Sequence, residues 1–280
     1  MQLICRDRQL SLDEPLVMGV LNVTPDSFSD GGRFVDPDAA VAHALEMVEA
    51  GAAIIDVGGE STRPGTEPVP VDEELARVIP VIETLAARID VVISIDTGKP
   101  EVMRAALVAG AAFINDVNAL AADDAVSVAA ASGAGICLMH MQGEPRTMQI
   151  EPHYDDVVED VYRFLAGRVD ACGSAGVAPD RITIDPGFGF GKTLEHNLQL
   201  LAALERFLDL GVAVLVGLSR KSMLGTLLDR PVDERLAGSV ALAALAAERG
   251  AHIVRAHDVA ATRDAVRLGH RLRTVKHEEI

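Results

Sequence analysis

Polar side chains follow eight short apolar runs of this 280-residue chain, at the point where each run ends. In chain order they are Asn22, Asp56, Asp96, Asn115 with Asp116, His140, Asp185, Lys221 within the segment SRKS (219–222), and Arg255 with His257. A structural hydrogen bond explains one such residue, but eight together would bury unpaired polar groups unless a ligand meets them. We therefore expect a ligand site at these positions.

The chemistry of these residues divides into two groups. Asp96, Asn115 and Asp185 supply hydrogen-bond acceptors suited to a flat, donor-rich heterocycle such as a 2-amino-4-oxopyrimidine. The second group consists of cations suited to phosphate: Arg63, Lys221, Arg255 and His257. The sequence thus predicts a heterocycle on one side of the site and an anion on the other.

The position of Lys221 supports the anion. It precedes a predicted short helix, where a cation opposes the helix macrodipole, so something should compensate its charge. The free N–H groups of the helix start and the Ser222 hydroxyl offer a place for a carboxylate or a phosphate.

The elements that must position these residues are alternating strands and helices. The apolar runs predict strands over 17–22, 53–58, 91–96, 112–117, 135–140, 181–186, 213–218 and 252–257. Helical spacing of apolar residues predicts helices around Val41–Val48, from an N-cap at Asp72 to Ile82, and over 101–109, 123–132, 154–175, 194–210, 233–249 and 259–270. Eight such units favour a closed (β/α)8 TIM barrel over an open doubly wound sheet. In a barrel the active site lies at the C-terminal ends of the strands.

We expect one domain over residues 1–280, with a catalytic core over about 16–270. Residues 1–14 could cover the barrel floor, and 271–280 are expected to be a loose polar tail. The connections 23–37 and 59–72 are longer than usual and rich in Gly and Pro, which is typical of lids or binding loops.

Composition excludes several classes of protein. The chain has 49% hydrophobic residues and a net charge of −17, which argues against disorder and against nucleic-acid or anionic-membrane partners. Its three cysteines are scattered and the N-terminus carries charges, so neither a disulfide framework nor a signal peptide is predicted, and a cytoplasmic location follows.

The sequence does not contain the familiar catalytic motifs. The segment GFGFGK (187–192) is not a phosphate-binding P-loop, because the first glycine of that pattern would fall at Pro186. No HExxH is present, and Ser222 has no sequence cue for a His–Asp relay.

Several segments in matching order carry a resemblance to a known family. They are MGVLNVTPDSFSDGG, IIDVGGESTRPG, ISIDT, INDV, LMHMQG, DPGFGFGK, VGLSRKS and RAHDV, which span about residues 16–262. Together they resemble the dihydropteroate synthases, the folate-pathway enzymes inhibited by sulfonamides.

The resemblance implies a homodimeric barrel enzyme. It would join 6-hydroxymethyl-7,8-dihydropterin diphosphate to 4-aminobenzoate, with Mg²⁺, and release pyrophosphate. The implied pterin-binding set is Asp96, Asn115, Asp185 and Lys221, with Met139 and Gly217 in the substrate site. The implied diphosphate set is Thr62, Arg63, Arg255 and His257, and Asn22 matches the metal-linked position. The implied aminobenzoate pocket comprises Phe28, Thr62, Pro64, Phe190 and Ser222. The Ala- and Leu-rich segment 239–247 is a candidate dimer contact.

Three other readings stay open from the residues. A methyltetrahydrofolate-dependent methyltransferase uses a similar barrel but needs neither SRKS nor an RPG loop. A non-catalytic pterin-binding protein would keep the acceptors but could lose the cations. A lysine Schiff-base aldolase is disfavoured because Lys221 lies beyond its strand, beside Arg220.

Overall fold

Eight parallel strands close into a barrel in the computed structural model, which describes residues 1–24, 37–61, 66–144 and 146–278. The barrel strands are β3 (Leu16–Asn22), β4 (Ile54–Gly58), β5 (Val92–Asp96), β6 (Phe113–Asp116), β7 (Gly135–Met139), β8 (Ile182–Asp185), β9 (Ala213–Gly217) and β10 (Ile253–Ala256). Strand β10 pairs with both β3 and β9, which closes the sheet. The predicted (β/α)8 TIM barrel is confirmed, and the open sheet is excluded.

Helices surround the barrel and cover the outer face of its strands. They are α1 (Pro37–Glu49), α2 (Val71–Ala86), α3 (Pro100–Ala109), α4 (Ala125–Ser132), α5 (Val157–Ser174), α6 (Leu194–Ala202), α7 (Ser222–Leu228), α8 (Leu236–Glu248) and α9 (Val259–Glu278). The apolar stripe of each longer helix packs on strands that are apolar along their length, so strand and helix bury each other. Within the described ranges, no helix is apolar over a stretch long enough to span a membrane.

A β-hairpin closes the N-terminal end of the barrel. Strands β1 (Gln2–Cys5) and β2 (Arg8–Ser11) pair in antiparallel fashion, and Leu3, Cys5 and Leu12 are buried against the barrel floor. This is the position expected for residues 1–14. The barrel strands are all parallel, so their polar C-terminal ends lie at the opposite mouth.

Three local predictions were wrong. Asp72 is not an N-cap, because α2 begins at Val71 after Pro70 and Asp72 lies in the first turn, where its charge favours the helix dipole. The helix predicted over 194–210 is divided at Ala203, and a 3₁₀ helix follows over Leu204–Leu210. The expected loose tail is helical as far as Glu278, since Arg273 anchors it through Glu205 Oε1 at 2.9 Å and the Glu248 carbonyl at 3.1 Å.

Candidate active site

A buried network of charges joins the mouth ends of four barrel strands. Strand register places Asp56 opposite Ser94 and Asp96 opposite Asn115, so these side chains project at neighbouring heights. Asp56 accepts hydrogen bonds from the Ser94 hydroxyl, from Asn115 Nδ2 at 3.0 Å and from Arg255 Nε at 2.6 Å. Arg255 Nη2 donates to Asp96 Oδ2 at 2.8 Å. One guanidinium therefore holds two carboxylates that are far apart in sequence.

Burial controls the ionisation of this network. Burial raises the pKa of Asp96 to about 7, with Arg255 opposing the shift and the Asp56 charge adding to it. Burial lowers the pKa of Arg255, but the carboxylates of Asp56 and Asp96 outweigh it and hold that pKa above its ordinary value. Arg255 therefore stays a cation between the two carboxylates.

Asp185 and Lys221 form a second charged group at the mouth. Asp185 is buried at the end of β8, and its Oδ1 accepts the backbone N–H of Gly187 at 2.8 Å. Burial raises the pKa of Asp185, while the Gly187 N–H and the charge of Lys221 work against the rise. Burial likewise lowers the pKa of Lys221 to about 8, and the Asp185 charge limits that decrease. The pair presents one acceptor and one donor to the mouth.

Phe190 lies beneath the Lys221 side chain. The Lys221 ammonium nitrogen stands 4.2 Å from the centroid of the Phe190 ring, which is a cation–π contact. A Cβ atom at Gly189 would lie 3.3 Å from Lys221 Cδ, and Gly189 has a φ of +79°. Glycine at this position therefore allows the turn to approach the lysine stem closely.

The connections after β9 and β10 are tied to each other. Ser219 Oγ lies 3.0 Å from His257 Nδ1, and the His257 backbone N–H donates to the same oxygen at 3.3 Å. Arg220 has a left-handed φ of 58° and binds both carboxylate oxygens of Asp258, at 3.1 and 2.7 Å. A non-glycine residue in this conformation is strained, so the ion pair stabilises the turn that presents Lys221.

Asn22 lies at the end of β3 beside the charged network. Gly58 stands between it and Asp96, since a Cβ at Gly58 would lie 3.7 Å from Asn22 Oδ1 and 3.5 Å from Asp96 Cβ. An amide oxygen and a carboxylate thus border the same edge of the mouth.

The structure describes three of the remaining predicted site residues. Met139 is buried at the end of β7, in register with Asp185, and Gly217 ends β9 in register with Arg255. Ser222 is the first residue of α7 and is exposed. Four predicted residues lie outside the described residues: Phe28, Thr62, Arg63 and Pro64.

The sequence does not show that these polar groups form hydrogen bonds with one another. The sequence marks Asp56 only as a strand end, whereas in the structure it accepts three hydrogen bonds from protein groups. Asp116 likewise accepts the backbone N–H groups of Asn118 and Leu120, both at 2.8 Å. The sequence also predicts that acidic and cationic residues lie on opposite sides of the site. This prediction is wrong for Arg255, which binds both Asp56 and Asp96. A buried Asp on a β-strand is itself a signal for a buried cation, and it could have indicated this pair.

Comparison with known proteins agrees with this site. The family model described as pterin binding enzyme matches residues 18–257. The dihydropteroate synthase of Escherichia coli (strain K12) is 53% identical over 268 residues, which are 96% of this chain and 95% of that protein.

Two solved structures show the same similarity. A Yersinia pestis dihydropteroate synthase in a sulfonamide complex has a TM-score of 0.93 at 50% identity, covering 98% of this chain and 100% of that one. A Xanthomonas albilineans dihydropteroate synthase with 4-aminobenzoic acid has a TM-score of 0.91 at 54% identity, covering 97% of each chain. The barrel, the charged mouth and these similarities over nearly the whole length lead to one conclusion: the chain belongs to the dihydropteroate synthase family.

Proposed function

We propose that this enzyme joins 6-hydroxymethyl-7,8-dihydropterin diphosphate to 4-aminobenzoate, forming 7,8-dihydropteroate and pyrophosphate. The observation that carries the proposal is the mouth of the barrel, where two buried carboxylates, Asp96 and Asp185, lie with Asn115 and Lys221. This set offers acceptors to the N–H groups of a pterin and one donor to its carbonyl or ring nitrogen.

The buried acids also suit a dissociative reaction. The methylene C–O bond breaks first, and its electron pair leaves with the diphosphate. The resulting cation is delocalised into the pterin ring, where the charges of Asp96 and Asp185 stabilise it. The neutral aryl amine then forms the C–N bond and releases a proton to solvent, so the mechanism needs no general base.

We assign the diphosphate to Thr62, Arg63, Arg255 and His257. Arg255 donates from Nε to Asp56 and from Nη2 to Asp96. We therefore assign its Nη1 to the diphosphate. His257 lies at the same mouth, with its Nδ1 3.0 Å from Ser219 Oγ. Thr62 and Arg63 enter the proposal through the sequence alone. Cations at the leaving group lower the energy of bond breaking.

The aminobenzoate pocket is assigned to Phe28, Thr62, Pro64, Phe190 and Ser222, of which Phe190 and Ser222 are described. The Phe190 ring lies under Lys221, and Ser222 follows Lys221 in the chain, so both residues adjoin a residue assigned to the pterin site. Met139 and Gly217 are assigned to the floor of the pterin site. This adjacency fits a reaction between two substrates bound side by side.

We assign Mg²⁺ to Asn22, and the donor chemistry fits a metal that arrives with the substrate. The described residues contain no group of three His, Cys, Asp or Glu that could hold a metal by themselves. Mg²⁺ keeps several waters and is bound through few protein oxygens together with substrate phosphates, so Asn22 would supply one amide oxygen, and water and phosphate oxygens would supply the other ligands. When bound, the ion would neutralise charge on the leaving diphosphate.

We further propose that the enzyme is a cytoplasmic homodimer. We assign the contact with a second copy to α8, which contains the segment 239–247, and to the adjacent α9, where Leu245, Leu268 and Leu272 are exposed. Light scattering with chromatography should give twice the chain mass, and a monomer would reject the dimer. All three cysteines are buried free thiols, which suits a reducing compartment.

The test of the function is a coupled assay with dihydropterin diphosphate and Mg²⁺, run with and without 4-aminobenzoate. We expect pyrophosphate and dihydropteroate in equal amounts, and loss of both in Lys221→Ala. Pterin binding without pyrophosphate release under any condition would instead favour a non-catalytic pterin-binding protein.

A further inference from the structure

We propose that Lys192 is a positioning residue of the active site: its buried ammonium fixes the segment 186–191, and that segment holds Asp185 and Phe190 in their places. The inference rests on the proposed function, because the readouts are the binding of pterin and aminobenzoate. We call the segment 186–191 the glycine-rich turn.

The ammonium of Lys192 has a complete set of partners inside the protein. Lys192 is only 3% exposed, and its Nζ lies 3.0 Å from His140 Nδ1, 3.0 Å from the Phe190 carbonyl and 3.4 Å from the His140 carbonyl. A lysine ammonium has three N–H donors and is seldom buried without partners. Three donors meeting three acceptors indicate a built site for this side chain.

The contact with Lys192 determines the tautomer of His140. When Lys192 is protonated, Nζ donates and His140 Nδ1 accepts, which corresponds to a neutral imidazole with its proton on Nε2. Burial, followed by the charge of Lys192, lowers the pKa of His140 to about 3, which agrees with a neutral ring. The His140 ring is itself fixed edge-on against Phe164, with 4.9 Å between ring centroids.

Lys192 reaches the active site through the glycine-rich turn on the pterin side. Gly187 has a φ of +72°, and a Cβ there would lie 1.9 Å from the His140 carbonyl oxygen and 3.4 Å from Lys192 Nζ. The turn is therefore packed directly on the groups that Lys192 joins. The same Gly187 donates its N–H to Asp185 Oδ1 at 2.8 Å, so a displaced turn removes a hydrogen bond from that carboxylate.

The second connection is through Phe190. Lys192 holds the Phe190 carbonyl, and the Phe190 ring carries the cation–π contact with Lys221 at 4.2 Å. One ammonium thus fixes a residue on the pterin side and a residue on the aminobenzoate side. Burial lowers the pKa of Lys192 to about 7, with the charge of Asp185 opposing the decrease and the charge of Lys221 adding to it. Lys192 therefore belongs to the same electrostatic network as Asp185 and Lys221.

Other contacts keep the turn folded when Lys192 is replaced. The Tyr154 hydroxyl donates to the Gly191 carbonyl at 2.8 Å, and the Gly189 N–H donates to Asn197 Oδ1 at 2.7 Å. Loss of the ammonium therefore displaces the inner side of the turn while its outer side stays anchored.

The test compares Lys192→Met with the wild type. Methionine keeps the apolar stem and removes the donors. Titration calorimetry with 6-hydroxymethylpterin as probe should show Kd raised about tenfold, because the displaced turn takes the Gly187 N–H away from Asp185 and that carboxylate loses its position. The KM for 4-aminobenzoate should rise as well.

Matched variants separate positioning from general stability. Leu85→Ala creates a cavity in the core of α2 and should lower the melting temperature without changing pterin affinity. His140→Gln keeps an acceptor for the ammonium and should retain near wild-type affinity, whereas His140→Leu removes it and should behave like Lys192→Met.

The outcomes are distinct. If Lys192→Met lowers the melting temperature but binds pterin as Leu85→Ala does, the inference is rejected while the proposed function stands. If the wild type neither binds pterin nor forms dihydropteroate, the proposed function itself fails.

Discussion

Replacing Asp56 by asparagine removes one buried negative charge while keeping the shape of the side chain. Asp56 is 0% exposed and accepts Arg255 Nε at 2.6 Å, so the attraction acts inside the protein and is little screened. Two unit charges about 4 Å apart attract by about 4 kcal/mol at an effective dielectric constant of about 20. Desolvation offsets part of this attraction, and the asparagine oxygen still accepts a hydrogen bond.

We therefore expect Asp56→Asn to lower the free energy of unfolding by about 2–3 kcal/mol, the range for losing a charged partner of a buried cation. For a chain of this length the melting temperature should fall by about 3–5 °C. Turnover should also fall, because Arg255 loses one of the two carboxylates that orient it toward the diphosphate. Urea unfolding gives the first quantity and the pyrophosphate assay gives the second.

The control is Asp209→Asn at the surface. Asp209 accepts Arg206 Nη1 at 2.8 Å, but its side chain is 64% exposed, so its loss should change stability by no more than about 0.5 kcal/mol. Equal stability losses in the two variants, or an unchanged turnover of Asp56→Asn, would refute the idea that burial gives the Arg255 network its strength.

Three further predictions concern charge. Asp185→Asn should reduce kcat about 100-fold by removing charge that stabilises the cation, and unchanged turnover with intact pterin binding would reject that role. Burial lowers the pKa of His252 from 6.5 to about 4, where Nδ1 accepts the Val214 N–H at 3.0 Å. As pH falls, His252 binds a proton in the unfolded state before it does so in the folded state. Its contribution to the free energy of unfolding is therefore present above pH 6.5 and is lost as pH falls toward 4, by about 2 kcal/mol between pH 7 and pH 5. His252→Asn should reduce this loss in urea titrations and the exposed His153→Asn should not; equal losses would contradict the assignment. Chelation of divalent metal should abolish pyrophosphate release and Mg²⁺ should restore it, while undiminished release in chelator would remove the metal from the reaction.

The strands and their polar ends could be predicted because their signals are local. Each barrel strand is a short apolar run that ends near the predicted residue, and the C-terminal ends of parallel strands meet at one mouth whatever the details of packing. Asp96, Asn115, Asp185 and Arg255 were identified in this way, and all four lie at the mouth. The ends of the helices were predicted less well. One helix predicted over 194–210 is divided at Ala203, because packing decides where a helix ends.

The sequence by itself determined the barrel, the identity of its polar strand ends and the likeness of its motifs to one family. Only the tertiary structure decided which charges meet. Arg255 and Asp56 are 199 positions apart, and the ion pair exists because β10 closes the barrel against β3, next to β4. Lys192 looked like part of a failed phosphate motif, yet its ammonium is buried among His140 and the glycine-rich turn. Strand periodicity is a property of neighbouring residues, whereas the pairing of buried charges depends on register and barrel closure, which no local pattern contains.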